Sequence, residues 1–244
     1  MNVRHNRRRK RMNGWKKALT FSYDDGVLQD RRMVALLNKY GMKATFNLNS
    51  ELLGQEEYLI REGVKVNHTK VAAKEVRGLY KGHEIAVHTL RHTNLSRITD
   101  TATIIRQVES DRENSSCLAG YKELDQNNRY IPPVYENYTE KVAELIKNCT
   151  KIKYARTTIC NYGFEKQRDL FQLKPSVYHG IDMEKMFDLG RKFLEMKPDS
   201  PQIFYIWGHS YGASLNDFWR CSREIRIFFM EPIGRYYWIP YEVE

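Results

Sequence analysis

Three short segments carry the residue types that hydrolytic chemistry needs. Thr20-Phe21-Ser22-Tyr23-Asp24-Asp25-Gly26 runs an apolar stretch into two adjacent carboxylates and a glycine. Alone, such a sequence reads as a turn, with glycine supplying the positive φ and the carboxylates accepting from local N–H groups. A metal changes that accounting, because one carboxylate can ligate while its neighbour, aimed elsewhere by the turn, moves a proton. His88-Thr89-Leu90-Arg91-His92 places two imidazoles at i and i+4, and these converge on one ion if the chain turns helically after the preceding apolar run. Thr89 stands where a metalloprotease pair carries its glutamate base, so a base must come from another strand, and Asp24 is the obvious supplier. Ile206-Trp207-Gly208-His209-Ser210 brings a further histidine to the end of an apolar run. Each segment alone is also a surface turn or a structural histidine. Together they supply two imidazoles and a carboxylate for a metal, with a second carboxylate and a third imidazole to spare, which is a complete hydrolytic set.

Stepwise alternation of β-rich and helix-period segments predicts β/α units around a mostly parallel sheet. The strand candidates are Ala18 to Ser22, Ala44 to Leu48, Glu84 to His88, Tyr154 to Thr158 and Ile203 to Trp207. Helices are predicted over Leu28 to Tyr40, over Thr139 to Cys149 with a threonine cap, and over Met183 to Met196, each with apolar residues at helical spacing. Every chemistry-bearing segment then falls just after a strand, on the rim where barrels of this kind gather their active residues. Asn47, Asn49 and Trp207 near that rim are suited to sugar contact, and Trp207 serves equally well as core.

The 244 residues fit one domain, and 41% hydrophobic with 12% aromatic residues exclude a disordered chain. The net charge of +10 is concentrated at one end. Arg4, Arg7, Arg8, Arg9, Lys10, Arg11, Lys16 and Lys17 supply eight positive charges before the first acid, and 10 − 8 leaves only +2 for the rest. Arg7 to Arg11 is read as a solvated arm rather than a patch for nucleic acid, anionic glycan or membrane, so nucleic acid is not an expected partner. No apolar run follows the basic residues and no eighteen uninterrupted apolar residues occur, so neither a signal peptide nor a membrane span is expected and the predicted location is cytoplasmic. Cys117, Cys149, Cys160 and Cys221 contain no C-x-x-C pair and suit reduced thiols. Oligomeric state is not legible in these features.

The order T-F-S-Y-D-D-G, H-T-L-R-H, W-G-H resembles the polysaccharide deacetylases, carbohydrate esterase family four, also called the NodB homology domain, over roughly Lys17 to Tyr211. The resemblance implies an α/β fold, a distorted (β/α) barrel, with residues 1–16 as a basic arm and 17–244 as the catalytic domain. It implies Asp24 as base, Asp25, His88 and His92 as ligands of one divalent metal, and His209 as acid. Arg129-Tyr130-Ile131-Pro132-Pro133-Val134-Tyr135 keeps the prolines and tyrosine of the family's Arg-Pro-Pro-Tyr segment but spaces its arginine differently. Tyr135 is thereby implied to offer a backbone N–H to the oxyanion, while Arg129 is scarcely matched to the arginine that orients the base. The Asp-Trp motif is not recognisable after Arg156-Thr157-Thr158, and nothing beyond Gly212 aligns. Zinc is the leading metal, with cobalt, nickel or iron compatible with the same ligands. The implied function is removal of an acetyl group from an acetylated carbohydrate, N-acetyl favoured over O-acetyl. A catalytically impaired, metal-retaining module for carbohydrate or polyanion is the alternative. An iron oxygenase would use the same ligand types, but those sites sit on antiparallel sheets.

Overall fold

The computed structural model describes residues 16–61, 63–120, 129–130, 138–180 and 183–211. In chain order the elements are β1 (Lys17–Asp24), α1 (Asp30–Lys39), β2 (Ala44–Leu48), β3 (Tyr58–Arg61), β4 (Val64–Asn67), α2 (Val76–Leu79), β5 (Glu84–Val87), α3 (Thr101–Ala119), β6 (Arg129–Tyr130), α4 (Glu140–Cys149), β7 (Tyr154–Ala155), β8 (Val177–Tyr178), α5 (Met183–Glu195) and β9 (Gln202–His209). Seven strands form one sheet in the order β7-β6-β5-β2-β1-β9-β8, paired in parallel throughout. This is the expected barrel-type α/β architecture, although β7 and β8 are not joined to each other among the described residues. A separate antiparallel hairpin is formed by β3 and β4.

Helices cover the sheet, so its strands read as continuous apolar runs. All five residues of β2 are buried. α1 sets Met33, Val34 and Leu37 into a core with Phe21, Phe46 and Phe204, and α5 adds Met186, Leu189 and Phe193. A second cluster joins Val87 to Ile104 and Val108 of α3 and to Val142 and Ile146 of α4. Thr139 caps α4 as predicted, its Oγ1 accepting from the Val142 N–H at 3.3 Å.

Register then aims the chemistry. Asp24 lies opposite Asn47 of β2 on one side and His209 of β9 on the other, so the three occupy one row at the C-terminal edge of the sheet. β2 has the predicted bounds. β1 and β9 run two residues further than predicted, into Asp24 and His209, whereas the strand predicted over Tyr154 to Thr158 stops at Ala155. α1 begins at Asp30 rather than Leu28.

Sequence patterning does not reveal α3, nineteen residues long, and the reason is physical: its buried side includes Gln107, Asp111, Arg112, Ser115 and Ser116 beside Ile104 and Val108. A helix whose inward face is polar has no apolar stripe to detect. No described helix is long and apolar enough to cross a membrane. Cys117, Cys149 and Cys160 are free, and Cys221 lies outside the described residues.

Candidate active site

β1 ends in a turn that separates the two aspartates. Asp25 adopts φ 82° and Gly26 φ 62°, and a Cβ on Gly26 would come within 2.7 Å of Leu48 Cδ2, so only glycine fits without displacing that side chain. The turn's carboxylates do not cap local N–H groups, as the simplest reading of Asp-Asp-Gly would have them do. Asp24 instead receives Arg156, whose Nη2 donates to Oδ1 at 2.7 Å and to Oδ2 at 2.8 Å, and Asn47, whose Nδ2 donates to Oδ1 at 2.6 Å. Arg156 is buried and lies over the Trp207 ring, 4.4 Å from its centroid.

Asp25 faces the other way. Its Oδ1 lies 3.5 Å from His88 Nε2 and 3.3 Å from His92 Nε2, and this buried oxygen has no hydrogen-bond partner among the described residues. One ligand atom from each of the three residues falls within 4.8 Å of the others. A carboxylate oxygen left without a donor and two imidazole nitrogens closing on it form a donor set that fits one divalent cation. Burial alone would push the Asp25 carboxyl up, but the His68 hydrogen bond, the approach of His88 and His92 and the charge of Lys70 outweigh it and hold the group well below the usual carboxylate range.

The histidine segment does not turn helically, as the i, i+4 spacing suggested. Thr89 and His92 take left-handed φ of 66° and 57°, folding the chain sharply back so that both rings converge, with centroids 5.0 Å apart. Such residues persist where their surroundings fix them. Asn49 Nδ2 donates to the carbonyls of His88 and Thr89 at 2.6 and 2.9 Å, Thr89 Oγ1 accepts from the Thr93 N–H at 2.7 Å, and Asp111 of α3 accepts from the His88 N–H at 2.9 Å. Asn47 and Asn49 are thus buried braces, one for Asp24 and one for the histidine turn, and not sugar contacts.

His209 closes the row. Its Nε2 lies 3.7 Å from Asp25 Oδ2, and its Nδ1 meets the Tyr178 hydroxyl at 3.2 Å. Burial lowers its imidazole to about 4, against the opposing pull of Asp25 and Asp24. The site opens into a cleft of about 750 Å³ walled by Trp207, Tyr178, Tyr211, Arg61 and Leu52. Five of the six predicted site residues meet here. Tyr135 lies outside the described residues, as does the side chain of Arg129. Sequence reasoning missed Arg156, Asp111 and His68. For Arg156 a signal existed, since an arginine within the strand predicted over Tyr154 to Thr158 is the charged exception in a segment that runs to the same rim as the carboxylates.

A parallel α/β sheet with a two-histidine, one-carboxylate centre at its C-terminal edge, and a second, clamped carboxylate beside it, defines the class. The chain belongs to the polysaccharide deacetylase family, whose sequence model matches residues 11–151. No curated protein matches the sequence. Among solved structures, T48 deacetylase with substrate is 17% identical, with 87% of this chain and 85% of that one covered and a TM-score of 0.53. The Xyl-CE4 domain of a multidomain xylanase from the hindgut metagenome of Trinervitermes trinervoides is 16% identical, covering 88% and 83% with a TM-score of 0.51. BA3943 of Bacillus anthracis, described as a CE4 family pseudoenzyme, is 14% identical, covering 86% and 61% with a TM-score of 0.51. At these identities the likeness is one of fold.

Proposed function

We propose that this protein is a metal-dependent deacetylase that hydrolyses the N-acetyl group of an acetylated carbohydrate. The observation that carries the reading is the division of labour between adjacent aspartates: Asp25 turns a buried, unbonded oxygen toward His88 and His92, while Asp24 is held apart by Arg156 and Asn47. One divalent cation, zinc in the leading case, would be held by Asp25, His88 and His92, and it supplies Lewis-acid polarisation of the acetyl carbonyl and a nucleophilic water near neutral pH. Asp24 takes the proton of the attacking water. Arg156 and Asn47 orient its carboxylate without filling the cleft, and a base held in one geometry loses little on reaching the transition state. His209, directly opposite Asp24 on β9, gives the leaving nitrogen its proton once it has taken one up, because burial keeps the free imidazole neutral down to about 4. Tyr178 fixes the ring from the Nδ1 side, which leaves Nε2 toward the cleft. Tyr135 is assigned to the oxyanion through the family pattern. Residues 17–244 form the catalytic domain in this reading, and residues 1–16 a basic arm.

An arginine clamps Asp24 in this chain even though the family's arginine segment is altered, which favours an active enzyme over a module that only binds. The test is acetate release from a panel of N- and O-acetylated mono- and oligosaccharides, repeated after chelation and after metal restoration. Release from N-acetyl substrates that disappears with chelation and returns with metal is expected. Release indifferent to chelation, or no release from any member of the panel, overturns the reading.

A further inference from the structure

Asp25 is approached from its far side by a group that the chemistry above does not use. His68, the first residue after β4, places Nε2 3.0 Å from Asp25 Oδ2 and Nδ1 2.6 Å from Glu57 Oε2. Glu57 is the last residue before β3, and its carbonyl accepts from the His68 backbone N–H at 2.8 Å, so the two residues close the open end of the hairpin. The His68 side chain is only 8% exposed. The Tyr211 hydroxyl donates to the same Oδ2 at 2.6 Å, its ring set edge-on to His68, and Lys70 Nζ lies 3.2 Å from His68 Nε2.

We propose that His68, held by Glu57, is the positioning residue of the metal centre: it fixes the Asp25 carboxylate so that Oδ1 alone faces His88 and His92. The inference rests on the reading of Asp25 as a metal ligand. The reasoning starts from the carboxylate's symmetry. Rotation about χ2 of an aspartate is broad and nearly two-fold, so an unrestrained Asp25 would exchange its oxygens and spread over many tilts. Two donors on Oδ2 and none on Oδ1 remove that degeneracy. They leave one oxygen, in one orientation, between two imidazoles. Glu57 does for His68 what His68 does for Asp25, because an imidazole tethered at Nδ1 cannot swing Nε2 away. The hairpin is thereby part of the site, although neither of its strands belongs to the main sheet. Partners of this kind, one bond removed from a metal, typically change its affinity 10- to 100-fold when lost.

The test is titration of the metal-free full chain with Zn²⁺ and with Co²⁺ by calorimetry, for wild type, His68→Leu, His68→Gln, Glu57→Gln and Asp25→Asn, with thermal unfolding of each metal-free form. His68→Leu is expected to weaken binding about 10- to 100-fold. His68→Gln, which can place one N–H donor near the position of Nε2, should recover most of that loss, and Glu57→Gln should fall between wild type and His68→Leu. A purely structural His68 would lower the unfolding temperature without changing affinity. Wild-type affinity in His68→Leu, or equal weakness in the glutamine and leucine variants, overturns the inference. Asp25→Asn separates the two levels: if it loses metal while His68→Leu does not, only the positioning role fails, and if it binds like wild type the metal reading fails and takes this inference with it.

Discussion

Asp24 and Asp25 are covalent neighbours, yet the two walls of the cleft hold them by different physics. On the Asp25 wall, three non-glycine residues, Asp25, Thr89 and His92, take left-handed backbone conformations within two short turns, and the ligand atoms come from segments that are each nearly contiguous. Left-handed φ at non-glycine residues costs on the order of 1–3 kcal/mol each, and here buried side-chain bonds from Asn49, Asp111 and His68 hold the turns in place. On the Asp24 wall the backbone is regular strand, and the work is done by a pairing that spans 132 positions, Arg156 on Asp24. A buried ion pair of this kind is costly to desolvate and costlier to break. The first wall gathers an ion by bending the chain, and the second orients a base by long-range charge. Metal retention and proton transfer are therefore separable.

That separation can be broken from the Asp24 side most forcefully. Arg156→Ala leaves a buried carboxylate without its cation, with an expected loss of about 3–5 kcal/mol of stability. Turnover should fall by ~10²-fold or more as the base loses its orientation, while metal content stays near wild type. Denaturant melts and elemental analysis check this, and loss of metal from a stably folded variant would mean that the two walls are one unit. His209→Ala should keep both fold and metal and lower amide hydrolysis by ~10²–10⁴-fold, with a much smaller effect on an activated ester whose leaving atom needs no proton. An equal loss on both substrates would point to positioning instead.

A smaller effect concerns Asp30, buried beneath the site with hydrogen bonds from Tyr80 and Ser210. Burial, opposed by those bonds, raises its carboxyl from the ordinary 3.8 to about 7. Between those values the folded chain keeps a proton that the unfolded chain has released, so stability falls as pH rises through that window and levels off above it. Asp30→Asn should flatten part of that slope. Asp111, raised to about 7 by burial in the same way, supplies part of the remainder. Unfolding free energies measured from pH 4 to pH 8 give the comparison. Smallest of all is deletion of residues 1–15, which carry charge but little apolar surface. Folding and turnover of a small neutral substrate should stay unchanged, and any affinity for polyanions should drop and become less salt-sensitive.

The contrast between the walls also explains what could be read from sequence. Asp25, His88 and His92 were legible because Asp25 and His88 directly follow apolar strands and His92 stands four residues beyond His88, the spacing of a ligand set. The backbone that joins the histidines was not, because i, i+4 suggests a helical turn and nothing local announces left-handed residues at Thr89 and His92. β2, α4 and α5 followed their apolar periodicity. α3 escaped because it buries polar residues, and with it went Asp111, the acceptor for the His88 N–H. The family's base-orienting arginine has scarcely a match at Arg129 on β6, whereas the cation on Asp24 is Arg156, just past the neighbouring strand β7. Asn47 and Asn49 were misread as sugar contacts because a polar residue at a strand end looks the same whether it faces a ligand or braces a neighbour.

The most direct measurement compares Asp25→Asn with Asp24→Asn, each purified and assayed for metal by atomic emission and for deacetylation of the best N-acetyl substrate. Asp25→Asn should lose metal and activity together, because an amide oxygen replaces the only anionic ligand. Asp24→Asn should keep near-stoichiometric metal and lose ~10²–10⁴-fold in turnover, the usual cost of a missing general base. If Asp24→Asn is the variant that loses metal, the roles are exchanged, and if both variants keep metal and turnover, the centre described here is not the active site.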